Sequence, residues 1–273
     1  MPTVGVFVYF EKNPAIHAEV AHAAASALLD ETSLPVDLMR MSLYRTPRKK
    51  SKWRKFKWSA FDEAVGDELV EVIDLCIGSK DDDVSFHGML ELRCNPDPRL
   101  RSDAPRQFSF SLESSASASI GLADTAHRIF EVCARGAEIL SGGCFRGESF
   151  VQADCEVDYP FSYEHESKEF KERLQFDRMH ASDRWTKARR LYPITLLGPK
   201  LANQLSAADA LAAGALAVQE LNGSLLIDAY PSIVETWDPE FLRTTVNLRR
   251  WLWPHTIQNP ADAVGLGVKV PKR

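Results

Sequence analysis

FHGMLELRC at 86–94 and QFSFSLESS at 107–115 are two runs rich in apolar residues, separated by the turn-rich NPDPRLRSDAPR at 95–106. Each run reads as a strand. Proline, aspartate and serine in the connector favour turns. Two strands in succession with no helix between them predict an antiparallel pair. Outward from this pair, TVGVFVYF at 3–10 is apolar, β-branched and aromatic, and reads as a buried strand. Asn13 and Pro14 then open a helix running to Asp30, with proline at its first position, where its missing N–H costs nothing. LPVDLMRMSLY at 34–44 alternates as a second strand.

Three longer stretches read as helices. From Ala60, FDEAVGDELVEVIDLCIG lines Phe61, Val65, Leu69, Val72, Ile73 and Cys76 on one stripe, opposite Glu63, Asp67, Glu68, Glu71 and Asp74, and Gly78 ends it. Residues from about 119 to 140 give a second amphipathic helix closed by Gly142-Gly143. Ser206 caps a third, Ala207 to Leu221. SFVQADCEV at 149–157 reads as a strand, and HESKEFKERLQF at 165–176 as an exposed helix. RLYPITLLGP at 190–199 reads as a strand followed by a short helix, KLANQL, and SLLIDAYP at 224–231 as another strand. Pro239 opens a final helix that Pro254 stops, and 258–273 reads as an extended arm. Strands adjacent in sequence, rather than in strict alternation with helices, predict an α+β fold with a mixed, largely antiparallel sheet and several amphipathic helices. The expectation is one domain over 1–273; the polar span 160–190 offers the sole division, into halves 1–160 and 185–257.

The chain has 273 residues, 45% hydrophobic and 26% charged, with a mean hydropathy of -0.23. That composition excludes a disordered chain, and no window approaches the ~18 apolar residues of a membrane span. MPTVGVFVYF has neither a basic opening nor a small-residue cleavage site, so no signal peptide is expected. Five cysteines with no C-x-x-C pair argue against a disulfide framework or zinc ribbon. The expected compartment is the reducing cytoplasm.

The net charge of -5 conceals a segregation. RTPRKKSKWRKFK at 45–57 holds eight Lys/Arg and no acid; without it 25 basic residues face 38 acidic ones, a net -13. A body so acidic repels nucleic acid and attracts basic partners. Asp81, Asp82 and Asp83 form one acidic cluster; Asp154, Glu156 and Asp158 begin another. Runs of charge usually mark solvated faces. In the basic stretch Trp53, Phe56 and Trp58 interleave with Arg54, Lys55 and Lys57, as stacking residues do in nucleic-acid binders. Pairing of this loop with an acidic cluster accounts for it equally well.

Catalytic motifs are lacking. No H-x-x-x-H, G-x-G-x-x-G, G-x-x-x-x-G-K-[ST] or G-x-S-x-G occurs, so no metal or cofactor is expected. Cys144 in SGGCFRG sits between glycines whose amides could stabilise a thiolate, with His127 or His165 as a candidate base; an ordinary strand-edge cysteine fits the same residues. Trp251 and Trp253, two apart on a helix, point to different faces, and an exposed tryptophan near His255 would serve as an interface anchor.

RLYPITLLGPKLANQL at 190–205 resembles the I-T-x-L-G-P-x-L segment of immunity proteins from bacterial polymorphic-toxin and type VI secretion systems, here Ile194, Thr195, Leu197, Gly198, Pro199 and Leu201. FHGMLELRC, and FSFSLESS followed by GLADTAHRIFEVCARGAEIL, add to the likeness. Within that group the similarity is to a family paired with restriction-endonuclease-like nuclease toxins. The resemblance implies a cytoplasmic, non-enzymatic α+β protein that binds and neutralises a cognate toxin, by covering its active site or blocking its assembly. Charge clustering then nominates Asp81, Asp82, Asp83, Asp154, Glu156 and Asp158 as contacts, with Trp53 and Trp251 as anchors. The competing expectations are a nucleic-acid binder using 45–58 and a Cys144-dependent enzyme. Stoichiometry and oligomeric state are not legible.

Overall fold

The computed structural model describes residues 3–11, 14–32, 36–43, 52–67, 69–77, 88–94, 105–113, 122–136, 138–147, 175–176, 178–258 and 260–268. Among the described residues ten strands form one sheet in the order β3-β2-β4-β5-β6-β1-β7-β8-β10-β9, each neighbouring pair antiparallel. They are β1 (Thr3–Phe10), β2 (Val36–Leu43), β3 (Arg54–Lys55), β4 (Val70–Ile77), β5 (Gly88–Arg93), β6 (Arg106–Glu113), β7 (Ile139–Gly147), β8 (Ile194–Leu197), β9 (Ala217–Leu221) and β10 (Ser224–Asp228). The α+β class holds, and the two strands quoted first pair as expected, Leu90 opposite Phe110 and Leu92 opposite Phe108.

Alternation sorts side chains between the two faces. Val4, Val6 and Val8 of β1, Phe108 and Phe110 of β6, Leu90 and Leu92 of β5, and Ile73 and Leu75 of β4 line one face. Against it pack α1 (Pro14–Thr32), α2 (Trp58–Gly66) and α3 (Leu122–Gly136), through Ala24 and Ala25, Phe61 and Val65, and Ile129 and Phe130. Burying each large apolar side chain contributes about 1.5–3 kcal/mol, which makes this face the main source of stability. On the opposite face, Phe7, Tyr9, Phe145 and Tyr192 form an aromatic cluster with Phe176 and Ile257. Farther along, Leu197, Leu225 and Ile227 are covered by Leu201, Ala210, Phe241, Leu248 and Leu252. These come from α5 (Pro199–Ala202), α6 (Ala207–Ala212), α7 (Pro239–Thr244) and α8 (Val246–Leu252), the short α4 (Ala181–Arg184) preceding them.

Several sequence expectations are corrected. The stretch 60–78 is helical only to Gly66; Val70–Ile77 is a strand. VEVIDLCI is rich in β-branched residues and satisfies a period of two as well as a helical stripe, and sheet pairing on both sides decides between them. Leu69, expected on the apolar stripe, is 55% exposed in the turn. The second helix stops at Gly136, and Gly142 and Gly143 lie inside β7 rather than closing a helix. There a Cβ would sit 2.7 Å from the Phe7 carbonyl oxygen at Gly142 and 2.4 Å from the Tyr192 ring at Gly143. The third helix ends at Ala212, and 217–221 is β9, joined to β10 by a two-residue turn with Asn222 at φ 49 and Gly223 at φ 82. The arm contains α9 (Pro260–Leu266), held by Ala263 and Leu266 against Trp253. The strand expected at 149–157 and most of the helix expected at 165–176 lie outside the described residues.

Candidate partner-binding surface

Of the eight nominated contacts, Asp81, Asp82, Asp83, Asp154, Glu156 and Asp158 lie outside the described residues. Neither nominated tryptophan is fully exposed or fully buried. Trp53 precedes β3, is half-buried, and carries the Arg40 guanidinium 4.6 Å from its ring centre. Trp251 is half-buried against the cluster around Leu248 and Leu252, and Trp253 is buried.

Arg40 leads to the least expected ionic group in the chain. Its guanidinium lies 2.7 Å from the carboxylate of Asp74, on the neighbouring strand, and the Asp74 side chain is only 3% exposed. Instead of joining the acids of a solvated helix face, Asp74 is buried on a strand beside its cation. Burial pushes its carboxyl above the ordinary range, against the opposing pull of Arg40.

The described part of the basic stretch, 52–57, contributes a sheet edge. Arg54 and Lys55 are the two residues of β3 and both are exposed, as are Lys52 and Lys57. The aromatics interleaved with them turn inward. Phe56 and Trp58 meet edge-to-face with ring centres 5.1 Å apart, and Trp58 also contacts Phe61 and His22. Phe56 and Trp58, both half-buried, pack on the core.

Cys144 is fully buried at the centre of the sheet, opposite Val6 and Ile194. Burial pushes its thiol far above the ordinary value, the reverse of what a nucleophile requires. His127 does not serve it as a base: His127 Nε2 lies 2.7 Å from Asp228 at the end of β10. That hydrogen bond holds the imidazole above its ordinary pKa, although burial opposes it. Together with the Asn222 amide donating to the Ala134 carbonyl at 3.2 Å, it fastens α3 to the β9–β10 hairpin. Among the described residues no group of three or more His, Cys, Asp or Glu could hold a metal ion. No described helix is long and apolar enough to cross a membrane.

The surface that sequence reasoning missed is the other sheet edge. β9 is largely exposed, next to Leu211 and Leu216 at 48% and 58% exposure. The signal was in the sequence: Asn222-Gly223 is the preferred pair for a two-residue hairpin turn, with both residues at positive φ.

The ITLLGPKL segment now has a geometric basis. β8 ends at Leu197, Gly198 caps α5, and Pro199 takes the first helical position. The Gly198 N–H donates to the Leu140 carbonyl at 3.0 Å, and a Cβ on Gly198 would stand 1.9 Å from the Ile139 carbonyl oxygen. Glycine is therefore required where this turn crosses the start of β7.

No protein-family model matches the chain. No curated protein matches it either. Among solved structures it is similar to Pseudomonas aeruginosa T6SS protein PA0821, with a TM-score of 0.61 at 14% identity, over 94% of this chain and 74% of that one. At that identity the likeness is one of fold, and it extends along nearly the whole of this α+β chain.

Proposed function

We propose that this chain is a cytoplasmic immunity protein associated with a bacterial type VI secretion system, which binds and neutralises a cognate antibacterial toxin of the nuclease class. The observation that carries the reading is the fold it has in common, over 94% of its length, with a protein of a type VI secretion system. The ITLLGPKL resemblance points the same way from the sequence. Charge supports the choice of toxin: outside residues 45–57 the chain carries a net -13, suited to meeting the basic groove of a nuclease and to speeding association. Inhibition by this route needs no chemistry from the inhibitor, only a surface that occupies the groove or prevents the toxin from assembling.

The test is protection. Each toxin exported by the type VI system of the same bacterium is expressed in the cytoplasm of a sensitive strain, with and without this chain. The reading predicts rescue from one toxin, and that toxin degrades nucleic acid when alone. Failure to rescue from any of them, with the chain shown to be folded and abundant, refutes it.

A further inference from the structure

We infer that β9 is the docking edge for an extended, cationic strand of a partner protein, which joins the sheet beside it. The inference takes the toxin of the preceding proposal as that partner, and so rests on that reading. The two ends of the sheet differ in kind. β3 is two residues long and both are exposed cations, features that discourage further pairing. β9 is five residues, AVQEL, with no proline, lysine or arginine, and its pairing continues back to Leu216, whose N–H donates to the Asp228 carbonyl at 2.8 Å. Among the described residues no strand lies beyond it. Leu211 and Leu216 stand exposed beside it, where α6 packs on the strand. An unprotected edge flanked by exposed leucines is the arrangement that strand addition uses: main-chain hydrogen bonds give affinity, and the side chains alongside give selectivity.

Charge identifies the occupant. From Leu201 to Leu242 the chain has six acids and no Lys, Arg or His. Four of the six are engaged: Asp228 with His127, Glu235 with Arg146, Glu240 with Arg243, and Asp238 with the first N–H groups of α7. Asp209 and Glu220, beside and on β9, are exposed and have no cation partner among the described residues. A strand carrying lysine or arginine would supply the missing cations, whereas a second copy of β9, with no cation of its own, has none to offer Glu220.

Two measurements test this. In the first, the isotope-labelled full chain is titrated with the peptide Lys-Thr-Val-Lys-Val-Thr-Lys, which serves as a cationic strand and requires no toxin. Amide signals of residues 216–221 should shift and gain protection from exchange; shifts elsewhere, or none, overturn the inference. In the second, the double variant Leu216→Lys/Glu220→Lys, both positions exposed, is compared with Glu63→Lys on α2, after circular dichroism has shown each to be folded. The double variant should bind the rescued toxin at least tenfold more weakly, and Glu63→Lys within twofold of the parent. Unchanged affinity of the double variant overturns the β9 assignment while leaving the immunity reading intact; absence of any rescued toxin refutes that reading, and the peptide titration still decides the edge. Self-association of the chain through β9, abolished by the double variant, would overturn the choice of occupant.

Discussion

Replacing Gly198 by alanine probes the turn between β8 and α5. The backbone at Gly198 has φ -67, which alanine adopts freely, so any effect comes from space and not from conformational preference. The added Cβ would lie 1.9 Å from the Ile139 carbonyl oxygen, 2.7 Å from the Ile139 carbonyl carbon and 2.8 Å from the Leu140 carbonyl oxygen. All three are main-chain atoms, so no rotamer change relieves the contact; β7 or the β8–α5 turn must move. Overpacking of this kind costs about 1–3 kcal/mol. Moving the turn also strains the hydrogen bond from the Gly198 N–H to Leu140, worth about 0.5–1.5 kcal/mol. The expected loss is therefore roughly 2–4 kcal/mol, or about 4–15 °C in Tm for a domain of this size class. Gly66→Ala is the matched control: it ends α2 with nothing within 4 Å of the added Cβ, and should be neutral or stabilising by up to about 1 kcal/mol. Thermal melts followed by circular dichroism measure both. A Gly198→Ala Tm within about 1 °C of the parent would refute the claim that this glycine is required by the crossing at β7.

Three further outcomes follow from the buried groups. Arg40→Ala strips the buried Asp74 of its cation and should destabilise by about 3–5 kcal/mol, while the paired apolar replacement Arg40→Met/Asp74→Leu should recover most of that in denaturant titrations. Because Asp228 raises the pKa of His127, their pair stabilises fully below the unfolded histidine value near 6.5 and loses its contribution as pH rises through the higher folded value. Asp228→Asn should flatten that part of the Tm–pH curve, and an unchanged curve would contradict the assignment. Cys76, Cys94 and Cys133 are buried with thiols pushed up to about 12, and Cys144 higher still, so an aromatic disulfide reagent near neutral pH should label none of the four until the chain unfolds. Stoichiometric labelling of native Cys144 would revive the enzyme alternative.

How much can be read in advance varies with the range of the forces involved. β1, β2, β5, β6, β8 and β10 are legible because each carries a β-branched or alternating run bounded by turn residues. The N-cap of Ser206 and the proline-led start at Pro239 are equally local signals, and both hold. β4 reads as the continuation of a helix because VEVIDLCI satisfies two periods at once, and Ile139 and Leu140 at the start of β7 read as the last residues of a helix closed by Gly142-Gly143; only pairing with distant strands shows both to be strand. The Asp74–Arg40 pair is illegible, since its partners are 34 residues apart and meet only through register. β9 is hidden by its alanine-rich approach, which favours a helix; the Asn222-Gly223 turn immediately after it carries the contrary evidence. How far the expected anchors are exposed is illegible for a related reason. Trp53 and Trp251 stand out for their side chains, but exposure depends on what stacks above them, and that is a property of the fold.

In the proposed function the chain silences a nuclease by binding it. The most direct measurement of this is a titration of the rescued toxin's nuclease activity with the purified chain, repeated at low and moderate salt. Activity should fall linearly to zero at a fixed stoichiometric ratio, with association slowing as salt screens the acidic surface. Full nuclease activity in the presence of excess folded chain would contradict it.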